Sequence, residues 1–406
     1  MRDRCMSLWV RFESCLLLAG SLTGLSPFVH AQDLTPLCQP TVSDSVVVAS
    51  ARQRLAAGNI AEPPLTDSVD GFAWPDTPIG VLKSRNGYEF FASDGGLHSR
   101  QLWQGHWVGN SKYGSITRTF GTLGNPLGSE PPIDVTILPN PDPNVNPYYS
   151  SYDYMGGGPI YRVPEGVPGA GNLLLVYHAE INTVQSFYSV LALASSTNDG
   201  LSWTDLGEII RVNQAYRRDL DGYDIGDPPL VISPDGKYFY IYFRDWLANG
   251  TTHWGNTITL ASVARAPIAE VYEAAFGPKP HAAAFQKFYA GSWRLEPGIG
   301  GYSTDLNPNA GYAGELQVAY NADLKRYVMI IGEGVLFAYA ESIDGLDWST
   351  PVEIYQFSGQ PNTYVMPVGK GDDPHLLGKQ FYLFYTYGGA GGWPSNYVGR
   401  LTVSCR

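Results

Sequence analysis

Five stretches of this chain repeat one pattern, and an internal repeat constrains a fold more than any single motif does. Each stretch has a turn-like start, a short apolar strand and a gap. It then resumes as an aromatic-rich strand that ends in a polar residue. The pairs are Asp76–Leu82 with Tyr88–Asp94, Gly157–Val163 with Leu173–Glu180, Asp227–Ile232 with Tyr238–Asp245, Gly314–Tyr320 with Tyr327–Glu333, and Asp372–Leu377 with Phe381–Tyr387. Most are followed by a third strand, such as Val190–Ser195 or Leu336–Glu341.

β-Branched and aromatic residues dominate these runs, and Gly, Pro, Asn and Asp bound them, which is strand-and-turn chemistry. Asp235-Gly236, inside the third pair, is a hairpin signal. The chain has 46 Gly and 30 Pro among 406 residues, too many breakers for a helical bundle, and its 44% hydrophobic content is too high for a disordered chain. Five units spaced roughly 60–85 residues apart predict an all-β fold, a five-bladed β-propeller, in which ring closure supplies the core that no blade has alone. A helix is predicted over Pro267–Phe276, with Pro at its start and Gly277 after its end, and a further turn or two over His281–Tyr289. This short helical insertion is expected between blades three and four, as a wall of a cleft or as a buttress.

The chain's ends carry their own signals. Arg2, Arg4 and Arg11 flank or precede the apolar run Ser14–Leu25, well under the roughly 20 residues that span a bilayer, and Val29-His30-Ala31 resembles a small-residue cleavage end. Residues 1–31 are therefore expected to be a signal peptide, residues 32–70 an N-terminal segment with a ring-closing strand, and residues 71–406 the propeller. Cys5 and Cys15 leave with the signal, while Cys38 and Cys405 remain, one near each end. Two thiols in an oxidising compartment predict a disulfide that locks a circular fold. Secretion, extracellular or periplasmic, follows from both signals. The net charge of −12 argues against nucleic acid, whose phosphates need a basic surface, and against an anionic membrane. Neutral polymers remain possible partners, and a monomer is expected.

In a propeller the inner strands of all blades start at one face, and their antiparallel neighbours finish there. The repeat thereby becomes a map of a site. Inner-strand starts offer Asp76, Asp227, Glu315, Asp372 and Asp373. Second-strand ends offer Asp94, Glu180, Asp245 and Glu333, with His178, Arg244 and Trp246 beside them. Carboxyls crowded in one mouth push some pKa values up, which lets one act as a proton donor while another stays a base. His178, Glu180, Arg244, Asp245, Trp246 and Asp373 are the candidate substrate-binding residues. Asp before Pro is also a plain turn former, so the signal is the common register across blades. Ser196–Trp203 and Ser342–Trp348 both place an Asp/Asn-Gly turn ahead of a Trp, and the predicted role is structural, with the Trp filling space between hairpins.

The Asp-x-Pro and Asp-Pro strand starts, the Ser-x-Asp-Gly-x-x-Trp turn and the five-unit layout resemble the five-bladed propeller glycoside hydrolases. That group includes family 43 arabinanases and xylosidases and, more distantly, fructan-hydrolysing enzymes. The layout is also similar to that of secreted bacterial propellers of unknown function. The resemblance implies a base at Asp76, a pKa-tuning carboxylate at Asp227 and an acid at Glu315, with Glu296 a rival for the acid. Thr77 between Asp76 and Pro78, and the absence of a Glu-Gly-Pro setting at Glu315, depart from the family pattern. Activation of water by Asp76 and protonation of the leaving oxygen by Glu315 would invert the anomeric centre if the carboxyls stand roughly 6.5–9.5 Å apart; roughly 5–5.5 Å would mean retention. His375, after Asp373-Pro374, is a candidate ligand for a structural Ca²⁺ or a water at the axis.

Zinc-binding His-Glu-x-x-His, a Gly-rich phosphate loop, a free nucleophilic Cys and a Gly-x-Ser-x-Gly elbow are all absent from the sequence. Two alternatives to a glycoside hydrolase stand beside it. A sialidase-like enzyme needs an arginine cluster, for which the sequence offers Arg162, Arg244 and Arg294 without a common register. A non-catalytic carbohydrate-binding propeller needs the aromatics and no catalytic pair.

Overall fold

The repeats build a five-bladed β-propeller, one blade for each of the first four. The computed structural model describes residues 35–50, 77–93, 100–103, 106–109, 116–126, 128, 133–152, 154–182, 187–213, 216, 224–226, 228–248, 257–294, 301–306, 315–333, 335–357, 364–387 and 397–406. From the axis outward, blade one holds Gly80–Ser84, Gly87–Ser93, Ile116–Gly121 and Ile133–Leu138. Blade two has a split inner strand, Tyr154–Gly156 and Ile160–Arg162, followed by Leu173–Asn182, Phe187–Ser196 and Ser202–Arg211. The outer strands of these two blades pair in parallel, Ser202 opposite Thr136. Blade three repeats the split inner strand, Asp224–Gly226 and Leu230–Ile232, then runs through Tyr238–Ala248, Thr257–Pro267, Gln286–Tyr289 and Ser292–Arg294. Blade four holds Glu315–Asn321, Arg326–Glu333, Leu336–Ser342 and Val352–Gln356.

Blade five is closed by the chain's other end. Its order is Met366–Gly369, Gln380–Tyr387, Tyr397–Cys405 and then Pro40–Ser50, with Pro40 opposite Cys405. Cys38 and Cys405 form the expected disulfide, Cα atoms 4.9 Å apart across a sequence separation of 367. The ring-closing N-terminal strand is thus observed.

The cores lie between blades, as ring closure requires. One cluster joins blades one, two and three through Phe91, Val176, Trp203 and Phe239. Others join three to four through Tyr242, Val263 and Met329, four to five through Val328, Phe337 and Leu383, and five back to one through Val368, Phe384, Val81 and Phe90. Both turns that precede a Trp are structural. Ser196 Oγ accepts the Gly200 N–H at 2.9 Å and Ser342 Oγ the Gly345 N–H at 2.8 Å. Trp203 packs edge-on against Phe91 of blade one and Trp348 against Tyr242 of blade three.

Near the axis the inner strands touch. Thr77 Oγ1 donates to the Gly157 carbonyl at 2.7 Å, and a Cβ on Gly80 would meet the Gly158 carbonyl oxygen at 2.6 Å, so only glycine allows this approach. The carbonyls of Pro159 and Pro229 accept equivalent bonds from Val176 and Tyr242. The Asp/Gly-x-Pro signature is therefore the step that splits an inner strand.

Three expectations are corrected. The helix Ile268–Phe276 lies within blade three, between Thr257–Pro267 and Gln286–Tyr289, and buries Val271, Tyr272 and Ala275. Tyr272 meets Phe239 edge-on, so the helix is a buttress. Residues 281–289 are not helical: Gln286–Tyr289 is a strand pairing with Ala264 and Arg265, because Lys287 is drawn inward by a buried carboxylate. The inner strand of blade five is Met366–Gly369, not Asp372–Leu377; Leu376–Leu377 instead pairs in parallel with Tyr320–Asn321 of blade four. Among the described residues no helix is long and apolar enough to cross a membrane.

Candidate active site

Strand register decides which side chains share an end of the ring. Tyr154 stands opposite Glu180, Gly156 opposite His178, Asp224 opposite Trp246, Ile225 opposite Asp245, Gly226 opposite Arg244, and Glu315 opposite Gly332. All lie where inner strands begin and second strands end. His178 and Glu180 of blade two, Asp224, Arg244 and Asp245 of blade three and Glu315 of blade four thus lie at corresponding strand ends, at one end of the ring.

The tightest cluster bridges blades two and three. His178 Nε2 is 3.5 Å from Asp224 Oδ1, and its Nδ1 is 3.9 Å from Glu180 Oε1. Ser189 Oγ donates to Asp224 Oδ1 and accepts the Ile225 N–H at 2.8 Å. Tyr154 sets its ring edge-on to His178 at 6.5 Å, and its hydroxyl is hydrogen-bonded to Ser93 of blade one. Gly226 keeps room for Arg244: a Cβ there would lie 3.2 Å from Arg244 Nη2 and 3.8 Å from Asp224 Oδ2. Burial raises the pKa of Asp224, but hydrogen bonding to His178, the charges of His178 and Arg244 and the Ser189 hydroxyl outweigh it, and the carboxyl is held below the usual range.

A second buried group stands behind the first. Asp245 is fully buried, accepts the Ser303 hydroxyl and lies 3.6 Å from Lys287 Nζ. Lys287 also donates to the carbonyls of Arg211 at 2.5 Å and Gly301 at 2.8 Å. It ties the outer part of blade three to the last strand of blade two. Burial pulls Lys287 down to about 8 against the opposing pull of Asp245.

Glu315 begins the inner strand of blade four and is half-buried. Its Oε2 accepts the backbone N–H of Tyr364, just ahead of the inner strand of blade five. That bond orients one oxygen of the carboxyl.

Other expected residues are placed elsewhere. Asp76, Asp94, Asp227 and Glu296 lie outside the described residues, as does the side chain of Trp246. Asp373 and His375 lie at the far end of the ring, beside Tyr161, Tyr320 and Leu376, because the chain turns there after Met366–Gly369. His375 Nδ1 is 3.2 Å from Asp373 Oδ1. Burial raises the Asp373 pKa, yet the bonds and charge of His375 bring it below the usual range. These two residues supply too few donors for the expected Ca²⁺, and no group of three or more His, Cys, Asp or Glu able to hold a metal occurs among the described residues. Arg162 is at the far end of blade two and Arg294 on the outermost strand of blade three, so neither joins Arg244.

Sequence reasoning missed Asp224, Ser189, Lys287 and Ser303. For Asp224 a signal existed. It lies three residues before Asp227-Pro228-Pro229, where the strand opposite continues past Asp245 to Trp246.

No family model matches the chain, and no curated protein does. Solved structures do. The chain is similar to Zg3597, a family 117 glycoside hydrolase of the marine bacterium Zobellia galactanivorans, at 10% identity and a TM-score of 0.52, over 91% of this chain and 92% of that one. It is also similar to the catalytic domain of the Coprinopsis cinerea GH62 α-L-arabinofuranosidase, at 11% identity and a TM-score of 0.48, over 91% and 98%. A protein of unknown function from Dyadobacter fermentans matches at 14% identity and a TM-score of 0.42, over 81% and 76%. At such identities the likeness is one of fold.

Proposed function

We propose that this chain is a secreted glycoside hydrolase that cleaves a glycosidic bond in a polysaccharide or oligosaccharide with a carboxyl acid/base pair. One observation carries the reading: carboxyls of blades three and four stand at corresponding strand ends in different environments. Asp224 is buried yet held charged by His178 and Arg244. Burial pushes Asp245 up, against the opposing effects of Lys287 and Ser303. Glu315 is oriented by a backbone N–H from the next blade. Carboxyls whose environments push their pKa values apart are what proton donation and proton abstraction in one site need.

In this reading Glu315 is the acid that protonates the leaving oxygen, Asp76 the base that activates water, and Asp227 the carboxylate that tunes the acid. The two aspartates each stand two residues before a proline, Pro78 and Pro229. His178, Glu180 and Arg244 serve the sugar hydroxyls, with Asp224 holding His178 and Arg244 in place. Arabinan, xylan and fructan are the substrate classes to try, with the chain acting as a monomer. The disulfide suits an oxidising compartment.

The test is a screen of the purified chain on arabinan, xylan, fructan and sialyl substrates, followed by Glu315→Gln and Asp227→Asn on whichever is cleaved. Turnover should fall by at least about 100-fold in each while sugar affinity stays within a few-fold. Binding without turnover on every substrate would instead identify a carbohydrate-binding propeller.

A further inference from the structure

A cavity of about 1030 Å³, open to solvent, lies between blades one and two at the opposite end of the ring from the mouth, and Lys83, Arg85, Tyr88, Glu89, Arg162 and Asp199 line it. Arg162 stands opposite Leu173 and Tyr154 opposite Glu180 on one continuous strand. Seven residues of strand therefore separate the two sites, roughly 23 Å.

The floor of this cavity neutralises itself. Arg118 Nη2 lies 2.9 Å from Glu89 and 3.4 Å from Asp199, and Arg162 Nη2 lies 2.8 Å from the other oxygen of Asp199. Arg118 is held in place by the rings of Phe120 at 4.5 Å and Phe91 at 5.6 Å. Asp199 is spared by its own turn, because Asn198 makes that turn's side-chain bonds to Ser196 and Ser202.

The rim is different. Lys83 and Arg85 sit at the exposed tip of the first hairpin of blade one, and neither forms an ion pair with a described residue. Lys83 Nζ lies 4.3 Å over the ring of Tyr88. A chain of net charge −12 thus keeps two cations without an ion pair among the described residues over an open cavity, with an aromatic ring below. Such a rim attracts anions, and a guanidinium fork matches the geometry of a carboxylate.

We propose that this cavity is a binding site for a carboxylated oligosaccharide, with Lys83 and Arg85 facing its carboxylates. The saccharide part of this proposal rests on the carbohydrate-active reading given above; the anionic part rests on the charges alone. The site anchors an acidic polymer away from the mouth and raises the local concentration of chain ends or branches there.

The experiment is calorimetric titration of the full chain with oligogalacturonate and with a neutral arabino-oligosaccharide of equal length, repeated for the double variant Lys83→Glu/Arg85→Glu. Both positions are exposed, remote from the mouth and outside the packed core. Wild type should bind oligogalacturonate at least about tenfold more tightly than the neutral sugar, with affinity falling as salt rises, and the double variant should lose that preference. Equal affinity for both sugars, an unchanged double variant, or equally tight binding of inorganic polyphosphate would overturn the proposal. Turnover is measured in parallel. A chain that cleaves no glycan yet shows variant-sensitive oligogalacturonate binding would sink the hydrolase reading and leave this site standing.

Discussion

His178 and Asp224 meet across the boundary between two blades, Nε2 to Oδ1 at 3.5 Å, and each is held by its own sheet. His178 is anchored by pairing with Gly156 and Asp224 by pairing with Trp246. The contact therefore reports on how blades two and three are set against each other. It also joins the architecture of the ring to the chemistry of its mouth, since the same Asp224 lies close to Arg244.

The first prediction concerns acid stability. Asp224 has its folded pKa held below the ordinary value despite burial. Its contribution to stability is complete above the ordinary aspartate pKa and is lost as pH falls through the lower folded value, because the unfolded chain takes up the proton first. Asp224→Asn should be less stable than wild type at neutral pH, and the gap should narrow as pH falls below about 5. Urea midpoints measured across that range check this; a gap independent of pH would show that the charge of Asp224 contributes nothing.

The second prediction concerns ring closure. The Cys38–Cys405 bond ties the outermost strand of blade five to its neighbour. Glu341 of blade four reinforces this end by accepting the backbone N–H groups of Leu37 and Cys38 at 2.8 and 2.9 Å. Reduction, or Cys38→Ser with Cys405→Ser, should lower unfolding free energy by roughly 2–5 kcal/mol. Retained β-sheet circular dichroism with a lowered denaturant midpoint is the expected result.

How far the sequence reaches into this fold depends on whether a residue's role is set locally. The first four strand pairs, the Asp235-Gly236 hairpin and the two Trp-bearing turns follow from turn chemistry and periodicity within a few residues, and their described parts fold as read. Asp372-Asp373-Pro374 imitates a strand start, but the preceding Met366–Gly369 takes the inner position and sends it to the far end. Lys287 lies in a stretch with helix-forming composition. It becomes a strand residue because Asp245, 42 positions earlier, sits beside it in the folded sheet. Ser189 and Asp224 lie 35 positions apart and meet only once the blades close. Such pairings belong to tertiary structure and leave no local pattern.

The third prediction tests the turns. Trp203 is almost wholly buried and meets Phe91 at 6.1 Å. Trp203→Ala removes a large side chain from the junction of blades one and two and should cost roughly 3–5 kcal/mol. Leu201, at the exposed edge of the same turn, serves as a control, and Leu201→Ala should change stability by less than about 0.5 kcal/mol. Denaturant melts of the two variants decide whether the turn acts through its Trp.

The last prediction concerns the buried Lys287–Asp245 pair, 3.6 Å apart. Lys287→Met leaves Asp245 buried without its cation, and breaking such a pair from one side typically costs about 3–5 kcal/mol. Asp245→Asn strands the Lys287 ammonium in its turn, but the Arg211 and Gly301 carbonyls still accept from it, so this should be the milder single change. The double variant should regain part of what Lys287→Met loses, because the stranded carboxylate is gone. The pH dependence gives an independent readout. Burial lowers Lys287 to about 8, below its ordinary value, so between these two values the unfolded chain binds more protons than the folded one. The contribution of Lys287 to stability therefore rises with pH across that window, and the slope of the denaturant midpoint from about pH 8 to about pH 9.5 should be shallower in Lys287→Met than in wild type. Parallel slopes would mean that Lys287 keeps its ordinary value in the folded chain. A double variant no more stable than Lys287→Met would mean that the ammonium acts only through its bonds to the Arg211 and Gly301 carbonyls.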